Sequence, residues 1–277
     1  MALPKGQIAN IENVLRNSLR HKFSNYNPEP ASMPFHTRLL GKDRMALFSF
    51  IHSLNTNFGT SIFEPVALAL ASSSFVSATS QQKAGIQISS EAHRVIQNIM
   101  DGLATANSSP NKQEEINAIR KVCRQGEMKT VKLTKVDVKL VAHNGTVYLF
   151  DIKTAKPNAG GFKEFKRTLL EWIAATLANN TTLEVQSLIA IPYNPYEPEP
   201  YNRWTMRGML DLENELKVAS EFWDFIGGKD AYQNLLNIFE RIGIELRPEI
   251  DNYFKQFIQI KNTAVNNATP DAGKRHG

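Results

Sequence analysis

Two aspartates and a lysine are the residues whose types and spacing could do chemistry in this 277-residue chain. Asp137 precedes a predicted β-turn, and Asp151 and Lys153 follow it. If the aspartates face each other across neighbouring strands, their Cβ atoms lie about 5 Å apart, and the carboxylates repel unless a cation lies between them. Oxygen ligands at that spacing suit Mg²⁺, with Mn²⁺ as a substitute, and such a cation activates water and neutralises phosphate charge. Lys153 would orient that water or stabilise developing charge.

The register of the hairpin decides whether these carboxylates meet. Asn144-Gly145 is a strong hairpin signal, but it permits two loops. A loop of those two residues alone sets Val138 opposite Asp151 and turns Asp137 to the other face. A three-residue loop with the glycine last sets Asp137 opposite Asp151. We favour the longer loop because it also brings one set of apolar side chains together: Val136, Val138, Leu140, Tyr148, Phe150 and Ile152.

The pattern has a plainer alternative, a solvated hairpin face with an aspartate–lysine pair that contributes little to stability. Aspartate is disfavoured inside strands, however, so two facing aspartates need a cause. An acid followed on the next strand by acid-x-Lys is a loose motif, and residues elsewhere in the chain must decide between the two interpretations.

The hairpin and its surroundings resemble the PD-(D/E)XK restriction endonucleases. Asp137, Asp151, Ile152 and Lys153 match the core of that family, although valine stands in place of its nominal proline and Asp151 replaces the more frequent glutamate. The segment DIKTAKPNAGGFKEFKRTLLEW and the later block EFWDFIGG at 221–228 are similar to type II enzymes of the TdeIII kind. A weaker likeness runs to the EcoO109I type, and the resemblance covers roughly residues 45–245.

The resemblance implies a type II restriction endonuclease that hydrolyses double-stranded DNA at a short palindrome, of the GGNCC or GGWCC kind. Asp137, Asp151 and Ile152 would form the Mg²⁺ site, and Lys153 would help to activate water. Cutting both strands of a palindrome calls for a homodimer. A DNA methyltransferase would be its genetic partner, in the cytoplasm of a bacterium or archaeon. A repair or junction nuclease of the same fold, or a DNA-binding protein without catalysis, stays open.

Glu64 is a further catalytic candidate, because many nucleases of this fold have a glutamate on a preceding helix that points at the metal. Ser61-x-x-Glu64 also forms a capping box, in which Glu64 would close back on the main chain of Ser61. The two roles are compatible, and both stay open at this point.

Two basic stretches are candidates for DNA contacts. Residues just after Lys153 and at the start of the next helix would hold phosphates, or would form an ordinary solvated face; they are Lys156, Asn158, Lys163, Lys166 and Arg167. The segment 192–208 holds four prolines, and its Arg203 and Arg207 would read guanine in the major groove. The alternative is a loop packed by its own aromatic residues. The aromatic block Phe222–Ile226 is expected to be core or dimer packing.

Composition narrows the class of protein. A net charge of +5 and a pI of about 9.2 fit a polyanionic partner, although they also fit an ordinary basic surface. One cysteine and six scattered histidines give neither a disulfide framework nor a zinc spacing. A signal-peptide core, a membrane-length apolar run and a nucleotide-binding glycine loop are all missing from the sequence.

Hydrophobic periodicity predicts helices and strands that agree with an α/β sandwich around a mixed sheet, with a helical N-terminal region. The resemblance implies that this α/β fold is the restriction-endonuclease-like one, in which helices flank the mixed sheet. We expect a strand at 183–192 and helices at 7–25, 38–54, 61–71, 85–105, 112–125 and 162–178. Gly59 and Thr60 would end the helical path that begins at residue 38, whose buried side would hold Leu39, Met45, Phe48, Phe50 and Ile51. We divide the chain into a mostly helical region (1–125), a catalytic core with C-terminal helices (126–260) and a flexible tail (261–277), with the first two forming one integrated domain.

Overall fold

A five-stranded mixed sheet lies at the centre of the computed structural model, which describes residues 3–26, 33–153, 161–202 and 206–255. The strands are β1 (Ser77–Gln82), β2 (Gln87–Ser89), β3 (Met128–Thr130), β4 (Val136–Val141), β5 (Val147–Ile152), β6 (Val185–Ile191) and β7 (Leu216–Val218). The sheet order is β1-β4-β5-β6-β7. Neighbours are antiparallel from β1 to β5 and parallel from β5 to β7, while β2 and β3 form a separate antiparallel pair.

Helices cover both faces of this sheet. They are α1 (Lys5–Asn25), α2 (Pro34–Leu40), α3 (Lys42–Phe58), α4 (Glu64–Ala71), α5 (Ser90–Ala104), α6 (Lys112–Val122), α7 (Phe162–Asn179), α8 (Leu212–Glu215), α9 (Ser220–Gly227) and α10 (Ala231–Glu245). One apolar core lies between the sheet and α5, α6 and α7, and the other between the sheet and α1, α4, α9 and α10. The predicted mixed α/β sandwich is therefore confirmed.

The hairpin has the predicted register. Val138 pairs with Phe150, and Leu140 pairs with Tyr148. The turn ends at Gly145, whose φ of +84° lies in the left-handed region that glycine adopts without strain. Val136 is the exception to the predicted apolar face, because it is buried in the core on the α5–α7 side.

The predicted break at Gly59 is wrong. The helical path runs from α3 through a π-helical turn, Gly59–Phe63, directly into α4, so no helix begins at Ser61. A π-turn inserts one residue into the helical repeat and rotates the faces on either side of it. Within α3, Met45 and Phe50 are buried as predicted.

Three other apolar residues predicted to lie inside this region are exposed: Leu39, Phe48 and Ile51. The short strands β1, β2 and β7 were not predicted, because SATSQQ, QIS and LKV carry no apolar alternation strong enough to indicate strands. The helix predicted at 85–105 begins only at Ser90, because Gln87–Ser89 form β2. The other predicted helices and the strand β6 are present with small shifts of their ends.

The C-terminal aromatic block belongs to the core, as predicted. Phe222 and Trp223 of α9 are buried, and the Phe222 ring lies 5.3 Å from that of Phe150 on β5. The predicted tail at 261–277 lies outside the described residues. The strand β1 comes from the region predicted as mostly helical and pairs with β4.

Candidate active site

The two aspartates and the lysine meet at one end of the central strands. Continuing the register of β4 and β5 by one residue places Asp137 opposite Asp151. The Ile152 N–H donates to Asp137 Oδ2 at 2.8 Å, which ties the two strands together at this point. Lys153 Nζ lies 2.7 Å from Asp151 Oδ1. Asp151 is buried because β5 lies between β4 and β6, with helices on both faces.

Glu64 joins this group from the start of α4, which packs against β1 and β4. Its side chain is only 3 % exposed. Gln81 of β1 links it to the aspartates: Gln81 Nε2 donates to both Glu64 carboxylate oxygens, at 2.9 and 3.0 Å, and contacts Asp137 Oδ1 at 3.3 Å. Since no helix begins at Ser61, the capping-box alternative does not account for Glu64.

Burial and mutual repulsion perturb these carboxylates. Burial and then the charge of Asp151 raise the pKa of Asp137 to about 7, although the Ile152 N–H acts in the opposite direction. Burial also raises the pKa of Glu64, against the hydrogen bond from Gln81. The positive charge of Lys153 alone does not offset the negative charge of these carboxylates. Carboxylates with strongly raised pKa values are typical of functional sites.

The donor set fits a hard divalent cation. Asp137 and Asp151 offer carboxylate oxygens, and the raised pKa of Asp137 shows that positive charge would be favourable here. Within the described residues, no cluster of three or more His, Cys, Asp and Glu side chains has the geometry of a full protein cage. Mg²⁺ binds through one or two carboxylates together with water and phosphate oxygens, so the pair is sufficient. Ile152 borders the pair through its main chain.

The predicted DNA contacts divide into three groups. Lys163 and Arg207 are exposed, and Arg167 is partly exposed with its guanidinium 2.9 Å from Gln97 Oε1. These three stay candidates for binding phosphate or bases. Three further candidates lie outside the described residues: Lys156, Asn158 and Arg203.

Lys166 is fully buried, so the prediction that it contacts DNA is wrong. Its Nζ pairs with Glu115 Oε2 at 2.6 Å and with Glu215 Oε2 at 2.7 Å. Lys112, equally buried, lies 2.9 Å from Glu215 Oε1. An ammonium group enclosed between two carboxylates cannot reach a phosphate. Helical spacing does not distinguish this position from the exposed Lys163 one turn earlier.

These four side chains tie α6, α7 and α8 together. Burial acts to raise the pKa of Glu215, but the charges of Lys112 and Lys166 outweigh it and hold that pKa below its usual value. Burial lowers the pKa of Lys112, although Glu215 opposes it. Desolvated ions are stabilised only while every partner is present, so the network fixes how these helices are placed.

Gln81 is the residue of the site that the sequence did not reveal. Its strand is almost wholly polar, and glutamine carries no charge that would mark it as a candidate. Its φ of +55° is unusual for a residue other than glycine, and it cannot be inferred from residue types. The one available signal is that β1 precedes the acidic hairpin and can pair with it.

Comparisons with known proteins match this chain to restriction endonucleases. The model of the family described as "Type II restriction endonuclease, HinfI" matches residues 3–243. The type II restriction enzyme HgiBI of Herpetosiphon aurantiacus is 27% identical over 251 residues, which cover 84% of this chain and 87% of that protein. HgiCII of the same organism is 27% identical over 227 residues, covering 78% and 80%. MjaII of Methanocaldococcus jannaschii is 23% identical over 291 residues, covering 95% and 75%.

An α/β sandwich with two acids and a lysine on adjacent strands, together with these relatives, defines a site-specific deoxyribonuclease. The chain belongs to the HinfI family of type II restriction endonucleases, because the family model matches most of its length. The wider restriction-endonuclease prediction is thus confirmed, while the TdeIII subgroup stays a prediction. None of the helices in the described ranges has the length and apolar character of a bilayer-spanning segment.

Proposed function

We propose that this protein cleaves double-stranded DNA at a short palindrome in a Mg²⁺-dependent reaction, with Asp137, Asp151 and Lys153 as its catalytic residues and Mn²⁺ as a substitute cation. The observation that carries this proposal is the pair of facing carboxylates with a lysine beside them. A surface ion pair would not raise the pKa of Asp137 to about 7. The GGNCC or GGWCC type of site comes from the TdeIII resemblance and belongs to the same proposal.

Each residue has a distinct part in hydrolysis. Asp137 and Asp151 would hold the cation, with Ile152 beside them and Glu64 in support. The bound cation would lower the pKa of a water molecule and neutralise charge on the scissile phosphate. Lys153 Nζ lies 4.7 Å from the centre of the Phe165 ring, so the ring and Asp151 hold its ammonium group in one place. From there it would orient the attacking water and stabilise negative charge developing on phosphate.

The test is digestion of plasmid DNA by the purified protein with Mg²⁺, with Mn²⁺ and with EDTA. Discrete bands whose ends map to one palindrome by run-off sequencing support the proposal. Degradation without discrete bands favours a repair or junction nuclease, and binding without cleavage favours an inert DNA-binding protein. Asp151→Asn should abolish cleavage, whereas the exposed Asp101→Asn should cleave as the wild type does.

A homodimer belongs to the same proposal, and α2 and α3 carry a surface that fits a second copy of the chain. Phe35 is 84 % exposed and Leu39 is 83 % exposed. The full set of large apolar residues exposed on and just before these helices is Met33, Phe35, Leu39, Leu40, Leu47, Phe48 and Ile51. We call this set the α2–α3 face.

The area of the α2–α3 face matches what a stable dimer requires. Its side chains expose roughly 700 Å², against the roughly 800 Å² that each partner buries in a standard interface. A monomer rarely leaves so much apolar area in contact with water.

Sedimentation tests this surface. The double variant Phe35→Glu/Leu39→Glu should sediment as a folded monomer and should nick one strand of the palindrome rather than cut both. Val76→Glu, at an exposed apolar position elsewhere, should stay dimeric. A wild-type protein that is monomeric at micromolar concentration, or a double variant that still dimerises, would overturn this assignment of the interface.

The biological setting follows from the proposed activity. An enzyme that cuts a short palindrome would also cut the DNA of its own cell, so we propose a DNA methyltransferase of the same specificity as its genetic partner. Its substrate and that partner would meet it in the cytoplasm of a bacterium or archaeon.

A further inference from the structure

We infer that Gln81 is a positioning residue of the active site, whose side-chain amide holds Glu64 and Asp137 in place to receive the divalent cation. Nothing in the family motif marks a glutamine on this strand. The inference rests on the proposed metal-dependent function and adds a residue to it.

The first support is the way in which Gln81 contacts the two acids. Its Nε2 lies within 2.9 to 3.3 Å of three carboxylate oxygens, two on Glu64 and one on Asp137. A glutamine amide carries only two N–H groups, so one of them must be shared. With a cation bound, both carboxylates would be ionised and could only accept hydrogen bonds, so the NH₂ end of the amide, and not its oxygen, would have to face this pair.

The second support is the backbone of Gln81. Its neighbours Ser80 and Gln82 pair with Val138 and Val136 in a regular ladder, which sets Gln81 opposite Asp137. Its own φ is +55°, a conformation that side chains with a Cβ seldom adopt. Strain of this kind persists where the surrounding structure determines it, and it concentrates at functional sites. Here the unusual backbone accompanies an amide that reaches both acids at once.

The third support is the chemistry of an amide compared with that of a charged group. A lysine or arginine in this place would neutralise the carboxylates and compete with an incoming cation. An amide donates hydrogen bonds to the same oxygens but, being neutral, does not neutralise their negative charge. Each carboxylate oxygen has more than one lone pair, so the acids can contact Gln81 and still bind a cation.

The experiment compares Gln81→Gly with the wild type in three measurements. Glycine adopts a positive φ freely, so the variant should unfold thermally at or above the wild-type temperature. Partners that orient metal ligands typically contribute 10–100-fold to metal affinity. Calcium titration by calorimetry, with non-cleavable palindromic DNA bound, should therefore show affinity reduced about tenfold or more. The Mg²⁺ concentration that gives half-maximal cleavage should rise by a similar factor, while the rate at saturating Mg²⁺ changes less.

Two further variants make the outcome decisive. Gln81→Asn keeps an amide and a residue that tolerates left-handed backbone, but it is one methylene too short to reach both acids, so it should behave like the glycine variant. Gln82→Ala is the matched control, because the Gln82 amide donates to Ser80 O and touches neither acid. Gln82→Ala should leave the calcium affinity unchanged.

The possible failures are distinguishable. If the wild type shows no divalent-dependent cleavage, the proposed function itself is wrong. If the wild type cleaves but both Gln81 variants bind calcium as tightly as it does, the inference about Gln81 is overturned. A lower rate at saturating Mg²⁺ with unchanged calcium affinity also overturns it, since Gln81 would then act on DNA or water.

Discussion

Replacing Asp137 with asparagine should stabilise the metal-free protein at alkaline pH. Burial and the facing Asp151 raise the pKa of Asp137 from the usual 3.8 to about 7. The folded chain therefore holds this proton more tightly than the unfolded chain does. The contribution of Asp137 to the free energy of unfolding is greatest below about pH 4. It falls as the pH rises towards about 7 and stays low above that. The difference in pKa corresponds to about 4 kcal/mol at full ionisation.

The variant should recover only part of this energy. The new amide oxygen can still accept from the Ile152 N–H, but its NH₂ group confronts the amide of Gln81. We expect a net gain of about 2 kcal/mol near pH 8.5, or about 5 °C in Tm for a chain of this size. Thermal unfolding followed by circular dichroism in EDTA, between about pH 4.5 and 8.5, measures it. The order should reverse at the acid end, where the folded wild-type carboxyl is neutral and the variant keeps only its unfavourable contact with the Gln81 amide.

The exposed Asp251→Asn is the control, and it should unfold as the wild type does at every pH. Saturating Mg²⁺ should reverse the order, because only the wild type retains the carboxylate that binds the cation. The reasoning is refuted if Asp137→Asn is less stable than the wild type at high pH without metal. It is refuted equally if the two proteins lose stability in parallel as the pH rises.

Three further predictions concern the basic residues. Lys153→Ala should abolish cleavage and weaken DNA binding, and the slope of log affinity against log salt should become shallower by about one unit for a lost phosphate contact; an unchanged slope would place this lysine away from phosphate. Arg207→Ala should weaken binding to the cognate palindrome by about 1–3 kcal/mol and to random DNA much less, if this arginine reads guanine. Lys163→Ala should weaken both equally, and equal losses for Arg207 would assign it to phosphate. Lys166→Ala should lower the free energy of unfolding by about 3–5 kcal/mol, because Glu115 loses the ammonium group paired with it and Glu215 loses one of its two. A shift of the denaturation midpoint no larger than that of Lys163→Ala would contradict the network.

The acidic hairpin could be predicted from the sequence because two independent rules agree there. The loop with glycine last and the burial of Val138, Leu140 and Phe150 select the same register, and a slip of one residue would reverse every side chain. Glu64 was predicted from the resemblance, because many nucleases of this fold have a glutamate on a helix that precedes the acidic strands. Its placement depends on a π-turn after Phe58, and no pattern of apolar residues indicates such a turn.

The roles of Gln81 and Lys166 could not be predicted from sequence patterns, because both depend on contacts between distant parts of the chain. A glutamine on a polar strand has no signature, and its role arises only from the pairing of β1 with β4. Lys166 was misassigned because its burial depends on Glu215, 49 residues away along the chain. Helical periodicity reports which residues share a face, but not whether that face meets solvent or a buried carboxylate.

The buried network of Lys112, Glu115, Lys166 and Glu215 sets a condition for anyone who wants to alter the specificity of this enzyme by exchanging segments with a relative. The segment after Met206, which carries Arg207, leads into Glu215 within a few residues. A graft of that segment alone would replace Glu215 with the residue of the relative, which need not be acidic. Lys112, Lys166 and Glu115 would remain buried around it. The unit that can be exchanged is therefore the loop together with α6 and α7. All four charges could be replaced at once by apolar residues of similar volume, whereas single replacements along the way would pass through unstable intermediates.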